Sequence, residues 1–510
     1  MNPSHEAKPR FVKRTTNPRI WEDDGAGLIV TGGPPRYAFR TSGPVHYVAV
    51  ADNLNDLLGY LWFNDEDEAA SWVPIRKRGD DGVNLGAVWS RRLETAKARG
   101  LTPSQAVTEL VERWPSSSSS HIVEGSLAEA TSLLALRELA GHPLVERVRW
   151  SAAGSLFGLA IGDAMGYPTE FLNMAQITAK FGPWREMGLP LSEGDIVRVS
   201  DDTQMALAVG EALVEASAGT PVSGTPAPGT RRIRGTRDPA AAATALTPAT
   251  VEAALRKHFV AWLHDPDNNR APGQTCLTAC TNLERGLRWQ DATVLGSKGC
   301  GANMRVTPVA LIPGLSAEQR AGIAQLQAAM THGHPTALAA SDLTAHTTWL
   351  LAHDCPIAEL LPRLRAYAQE SRHTYHADWL GDLYAKAGAP DPAAFIAFGW
   401  DECLRALDTA ATALRAEDSE LDPSEVVGAG WVAEEALATA LYCFLVVGGH
   451  ARASVMRASH SSGDSDSIAA LAGAFAGAKH GLLYWVPEWR EALEYKDRIT
   501  ALAAVWDDAA

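Results

Sequence analysis

Positive charge is scarce in this 510-residue sequence: 45 Lys and Arg stand against 60 Asp and Glu, a formal net charge of -15. That balance argues against sequence-independent binding to nucleic acid or to an anionic membrane, both of which need a basic surface. It leaves room for a phosphate-bearing small substrate in a locally positive pocket. Cysteine is also rare. The six residues (Cys276, Cys280, Cys300, Cys355, Cys403, Cys443) fit no CxxC or Cys/His zinc spacing. A reduced, cytoplasmic compartment follows as the expectation. No stretch reaches the roughly 18 uninterrupted apolar residues of a membrane span, and the first residues lack the apolar core of a signal peptide. The expectation is a soluble protein that contacts no membrane and no specific nucleic-acid sequence.

Alanine is abundant, while Val, Ile and Tyr are sparse, which favours helix over strand. Three breaks in composition divide the chain: "WPSSSSSH" at 114–121, a Pro/Gly/Thr/Ala-rich insertion at 215–250, and the acidic "RAEDSELDPSEVVGAG" at 415–430. The insertion has nothing to bury and reads as a mobile loop. Before the serine run, "RYAFRTSGPVHYVAVADN" alternates like a strand and "NLNDLLGYLWFNDEDEAASWV" reads as an amphipathic helix followed by an acidic turn. Residues 1–115 are therefore expected to form a small α+β domain, 116–146 a linker with a connecting helix, and 147–510 an all-helical domain. In that last part apolar residues recur at three- and four-residue steps almost throughout.

Two helices carry glycine where alanine would serve better. "GSLFGLAIGDAMG" places Gly154, Gly158, Gly162 and Gly166 on one face, and Gly473 and Gly477 repeat the device near the end. Each glycine costs about 1 kcal/mol of helix propensity, and close backbone approach to a neighbouring helix is the usual compensation. Acidic pairs head a third helix and the second of these: Ser200, Asp201, Asp202 and Thr203 in "VSDDTQMALAVGEAL", and Asp464 and Asp466 in "GDSDSIAALAGAFAGAKHG". Plain N-capping explains either pair alone. With Glu170, however, five acids crowd one helical core, which calls for cations. Oxygen donors without cysteine select a hard ion such as Mg²⁺, Mn²⁺ or Ca²⁺, and carboxylates shared between two ions can activate water. A DxD phosphatase motif, a GDS esterase motif and a DDxxD terpene-synthase motif all fail on their flanking residues.

In order, "GSLFGLAIGDAMGYPTEF", "VSDDTQMALAVGEAL", "SKGCGANMRVTP", "THGHPTA", "GWVAEEALATALYCFL" and "GDSDSIAALAGAFAGAKHG" resemble the motif set of the ADP-ribosylglycohydrolase family. The similarity covers about 148–489. It implies a mainly α protein whose larger part is an all-α orthogonal helical bundle, with two Mg²⁺ (or Mn²⁺) ions in a central cleft. Carried over position by position, it implies metal ligation by Ser200, Asp201, Asp202, Asp464, Asp466 and Ser467, with Glu170, Asp202 and Asp464 as the catalytic set. It also implies that Gly299, Gly301, Asn303, Met304 and His332 hold ADP-ribose. His332 equally suits a turn histidine ahead of a helix, and Arg305 is either a phosphate partner or an internal cap. Where the family has an aspartate in a D-x-G-x-T turn, "RAPGQT" has Ala271.

The implied activity is metal-dependent hydrolysis of the N- or O-glycosidic bond between ADP-ribose and a protein, nucleobase or small-molecule acceptor. The alternative is an immunity or binding protein whose N-terminal domain docks and blocks an ADP-ribosylating protein partner.

Overall fold

A computed structural model describes residues 35–507 apart from breaks at 39–40, 42, 53–55, 76–78, 114–119, 141–149, 190, 192–195, 219–242 and 417–418. Most of the insertion expected at 215–250 lies outside the described residues. The chain divides into two compact units, Met1–Arg147 and Val148–Ala510.

The first unit is built on an antiparallel sheet. Strands β1 (Val45–Asp52), β2 (Leu57–Asn64) and β3 (Ala69–Pro74) form a meander, and β4 (Ser120–Ile122) and β5 (Ala128–Ala130) pair with the free edge of β1. Residues 57–64, expected to be helical, are strand. "LLGYLWF" is apolar on both sides of the pleat, and both sides are covered: Leu61 packs with Trp89 and Leu93, Tyr60 and Trp62 with Leu136. A run buried on both faces loses the alternation that marks a strand, so it mimics a helix in sequence. The covering helices are α1 (Gly79–Ala98), α2 (Pro103–Arg113) and α3 (Leu133–Leu139). The stretch expected to be linker at 116–146 thus supplies two strands and a helix to this unit.

Among the described residues of the second unit the regular structure is helical, with isolated bridges only. Its centre is a seam between α4 (Ser151–Gly166) and a late helix, α13 below. The helices between that bear on the site are α5 (Asp201–Ser217), α6 (Pro248–Leu263), α7 (Gln274–Glu284), α8 (Ala317–Ala329), α9 (Pro335–Ala352), α10 (Pro392–Arg415), α11 (Ala433–Val446) and α12 (Ala451–Ser459). Then come α13 (Ser465–His480) and α14 (Lys496–Asp507). A Cβ on Gly158 would lie 2.1 Å from the Gly473 carbonyl oxygen, and one on Gly162 would lie 1.9 Å from that of Ala469. Gly154 meets Gly477, and Gly166 meets Ser465. Each step of four forward in α4 is a step of four backward in α13, so the helices run antiparallel at backbone contact. The end of α4 is thereby fixed against the start of α13. Asp507 of α14 closes the other end of α4, accepting from the Ala152 and Ala153 N–H groups at 2.9 Å each.

No helix among the described residues is long and apolar enough to cross a membrane.

Candidate metal centre and active site

The site forms where three helix ends meet. Asp163, buried one turn before the end of α4, accepts from the Ser200 N–H at 2.9 Å and from both the N–H and the hydroxyl of Thr203. It thus holds the first turn of α5. Ser200 caps the same helix by accepting from the Asp202 N–H at 3.2 Å. Beyond α4, the Thr169 hydroxyl is bound to the Gly166 and Ser459 carbonyls and to Ser465, which anchors Glu170 beside α13. Gly463, at φ +105 and with its Cα side against the Ala429 carbonyl, makes the turn into α13 that a side chain would obstruct.

Carboxylate oxygens of Glu170, Asp464 and Asp466 come within 4.8 Å of one another. Asp201 and Asp202 are buried beside them, close enough for the charge of Asp466 to act on both. The cysteine of "SKGCGANMR" enters as well: the Cys300 thiol donates to Asp464 Oδ2 at 2.7 Å, and the Ser467 hydroxyl lies 3.6 Å from its sulfur.

Burial pushes every one of these carboxyls up, and the charge of Asp466 adds to it at Glu170, Asp163, Asp201, Asp202 and Asp464. Glu170 rises to about 10 and Asp163 to about 7. No Lys, Arg or His among the described residues forms an ion pair with Asp201, Asp202, Asp464, Asp466 or Glu170. Glu170 Oε2 and Asp202 Oδ2 are buried without a hydrogen-bond partner among the described residues. Orphaned carboxylate oxygens in a cluster dominated by carboxylates fit a hard divalent cation.

The expected ADP-ribose residues are only partly together. Gly299 and Gly301 face His332: a Cβ on either would lie 3.4 Å from His332 Nε2. Asn303 and Met304 point inward instead. Asn303 Nδ2 donates to the Ala433 carbonyl at 3.0 Å, Met304 lies in the apolar core, and both N–H groups turn to the Cys300 carbonyl. Arg305 resolves to the internal alternative: it is fully buried, with its donors on Gln327 and Thr331 and its plane 4.5 Å over Phe259. Ala271 stands at φ +57, a left-handed conformation that Asp and Asn adopt more readily than Ala. Asp163 and Cys300 went unassigned in the sequence, although an acid inside the glycine-striped helix was a visible signal for the first.

A profile of the ADP-ribosylglycohydrolase family matches residues 144–510. The chain belongs to the ADP-ribosylglycohydrolase family. It is 26% identical over 355 residues to an uncharacterised protein of Archaeoglobus fulgidus, covering 68% of this chain and 93% of that protein. It is 30% identical over 201 residues to the ADP-ribosyl-[dinitrogen reductase] glycohydrolase of Rhodospirillum rubrum, covering 37% of this chain and about half (53%) of that enzyme. Among solved structures, an ADP-ribosylglycohydrolase-related protein aligns with 22% identity and a TM-score of 0.45, over 72% of this chain and 99% of that one. Membership assigns the second unit to hydrolases of ADP-ribose linkages. All but the last four residues of the N-terminal unit lie outside the matched region.

Proposed function

We propose that this member of the family hydrolyses the N- or O-glycosidic bond between ADP-ribose and its acceptor with two Mg²⁺ or Mn²⁺ ions. Ser200, Asp201, Asp202, Asp464, Asp466 and Ser467 would hold them. When bound, such ions supply Lewis acidity toward ribose hydroxyls and water at neutral pH. The observation that carries the reading is the convergence of half-buried Glu170 with buried Asp464 and Asp466 within 4.8 Å, with no cationic partner among the described residues.

The chain's own groups supply the rest. Cleavage develops positive charge on the ribose ring, and a cluster of buried carboxylates is suited to stabilise it. Glu170 is the acid/base candidate by position: its carboxylate lies within 4.8 Å of those of Asp464 and Asp466, and burial together with their charges raises it when no cation offsets them. Gly299, half-buried and with no atom closer than 3.4 Å to where a Cβ would stand, leaves room for close approach of a diphosphate to backbone. A cavity of about 400 Å³ lined by Leu295, Gly296, His334, Lys386 and Phe398 opens on the same loop, with apolar and aromatic walls suited to a nucleoside. No observation on the N-terminal unit favours the partner-blocking alternative.

The test is a panel of ADP-ribosylated arginine, serine, nucleobase and small-molecule acceptors, assayed for free ADP-ribose with and without EDTA. Release from at least one acceptor is expected, abolished by EDTA and lowered at least a hundredfold by Asp464→Asn or Asp202→Asn, as for loss of a main electrostatic element. Release that survives chelation and both substitutions overturns the assignment.

A further inference from the structure

His332 is buried, yet its ring is neither packed as an apolar filler nor paired with an acid. Its Nδ1 lies 2.8 Å from the Thr331 hydroxyl. That hydroxyl also receives an N–H from Arg305 at 2.7 Å. A guanidinium is a donor only, so the contact occupies an acceptor lone pair of Thr331 Oγ1 and leaves its single hydrogen to be given elsewhere. Two acceptors compete for it. The Ala328 carbonyl is 3.4 Å away, at the weak end of hydrogen bonding, whereas His332 Nδ1 is at 2.8 Å.

We infer that Arg305 and Thr331 form a one-directional relay that fixes His332 as the neutral Nε2–H tautomer, presenting a single N–H donor to an oxygen of ADP-ribose at the Gly299–Gly301 loop. Arg305 is held for this task from three other sides: Nε donates to Gln327 Oε1 at 2.8 Å, Nη2 also donates to the Gln327 carbonyl at 2.7 Å, and the plane stacks on Phe259. Nε2 makes no hydrogen bond among the described residues and points at the two glycines. Burial and the Arg305 cation both disfavour the imidazolium, in agreement with a neutral ring. Arg305 and Thr331 are thus positioning residues: neither needs to touch ligand, and each acts through the histidine. Loss of the hydroxyl would leave Nδ1 free to carry the proton and Nε2 to become an acceptor facing ligand oxygens.

The ligand part of this inference rests on the ADP-ribose reading above; the tautomer part does not. The experiment is ¹⁵N NMR of histidine-labelled full-length protein at pH 7, with the His332 signals identified by their loss in His332→Gln, alongside calorimetric titration with ADP-ribose. Expected for the wild type is a protonated Nε2 and an unprotonated Nδ1. In Thr331→Val the Nδ1–H form gains population and ADP-ribose affinity falls about three- to tenfold, the range for one hydrogen bond; Thr331→Ser restores both. A wild-type ring protonated on Nδ1, or a valine variant with unchanged spectrum and affinity, overturns the relay, and the wild-type spectrum decides it even if the valine variant misfolds. The expected spectrum in a protein that binds no ADP-ribose would overturn the functional reading while leaving the relay standing.

Discussion

Asp466 is the residue whose charge weighs on all five of its acidic neighbours, so Asp466→Asn is expected to stabilise the protein and disable it at once. Two ionised carboxylates 4.8 Å apart repel by about 3.5 kcal/mol at an effective dielectric of 20. Partial protonation dilutes this, and a gain of roughly 1–3 kcal/mol in EDTA at pH 8 is expected, or about 2–6 °C at 2 °C per kcal/mol. The asparagine oxygen keeps the bond that the Ser467 N–H makes to Asp466 Oδ1 at 3.0 Å.

The pH dependence has the opposite sign from that of a salt-bridged acid. Carboxyls raised in the native state contribute stability below their unfolded pKa and lose it as pH climbs through the native one. In EDTA the wild type therefore weakens as pH rises from the ordinary carboxyl range through about 7, where Asp163 titrates, toward about 10 for Glu170. For buried Asp163 alone, a rise from 3.8 to about 7 is worth about 4 kcal/mol once it ionises. Saturating Mg²⁺ is expected to reverse the order of the two proteins, because ions held as proposed above would add about 2.7 kcal/mol per site to the wild type at a hundredfold excess over Kd, and little to the variant. Thermal melts from pH 5 to 9, with EDTA or Mg²⁺, measure all of this. If the variant melts below the wild type in EDTA at pH 8, or if Mg²⁺ raises both equally, the cluster is not a repulsive centre relieved by cations.

Two further perturbations probe what positions the site. Gly158→Ala drives a methyl into the Gly473 carbonyl and the Trp485 ring, at 2.1 and 2.6 Å, and should cost at least about 3 kcal/mol in denaturant melts, while exposed Gly188→Ala, with nothing within 4 Å, stays within about 0.5. Asp163→Asn keeps the volume but sets an amide N–H against the donors of Ser200 and Thr203. It should cost about 1–3 kcal/mol and weaken Mg²⁺ binding by calorimetry although Asp163 is not an expected ligand; unchanged Mg²⁺ affinity would show that α5 holds its place without it.

Much of the second unit was legible because its sequence departs from economy in ways that physics notices. Glycines that lower helix propensity announced the α4–α13 seam, and doubled acids at helix starts announced the place where charge gathers. The structure brings those acids together from helices far apart in sequence. What sequence could not show was direction. Nothing in "GANMR" says that Asn303 and Arg305 turn inward while Gly299 and Gly301 face His332, because backbone path rather than residue type decides it. Residues 57–64 misled for a different reason: a strand covered on both faces by helices has no polar side to betray its period of two.

The seam has one more consequence, for the chain's biosynthesis. Ser155 on α4 bonds the Ala474 carbonyl 319 residues later. Until the ribosome has released α13, the bare glycine face of α4 has no backbone to lie against, and Asp163 and Glu170 wait in a half-built pocket. Closure of so long a loop is slow. The nascent polypeptide therefore keeps this glycine face uncovered for the roughly 300 residues between the two helices, so the pocket is completed late.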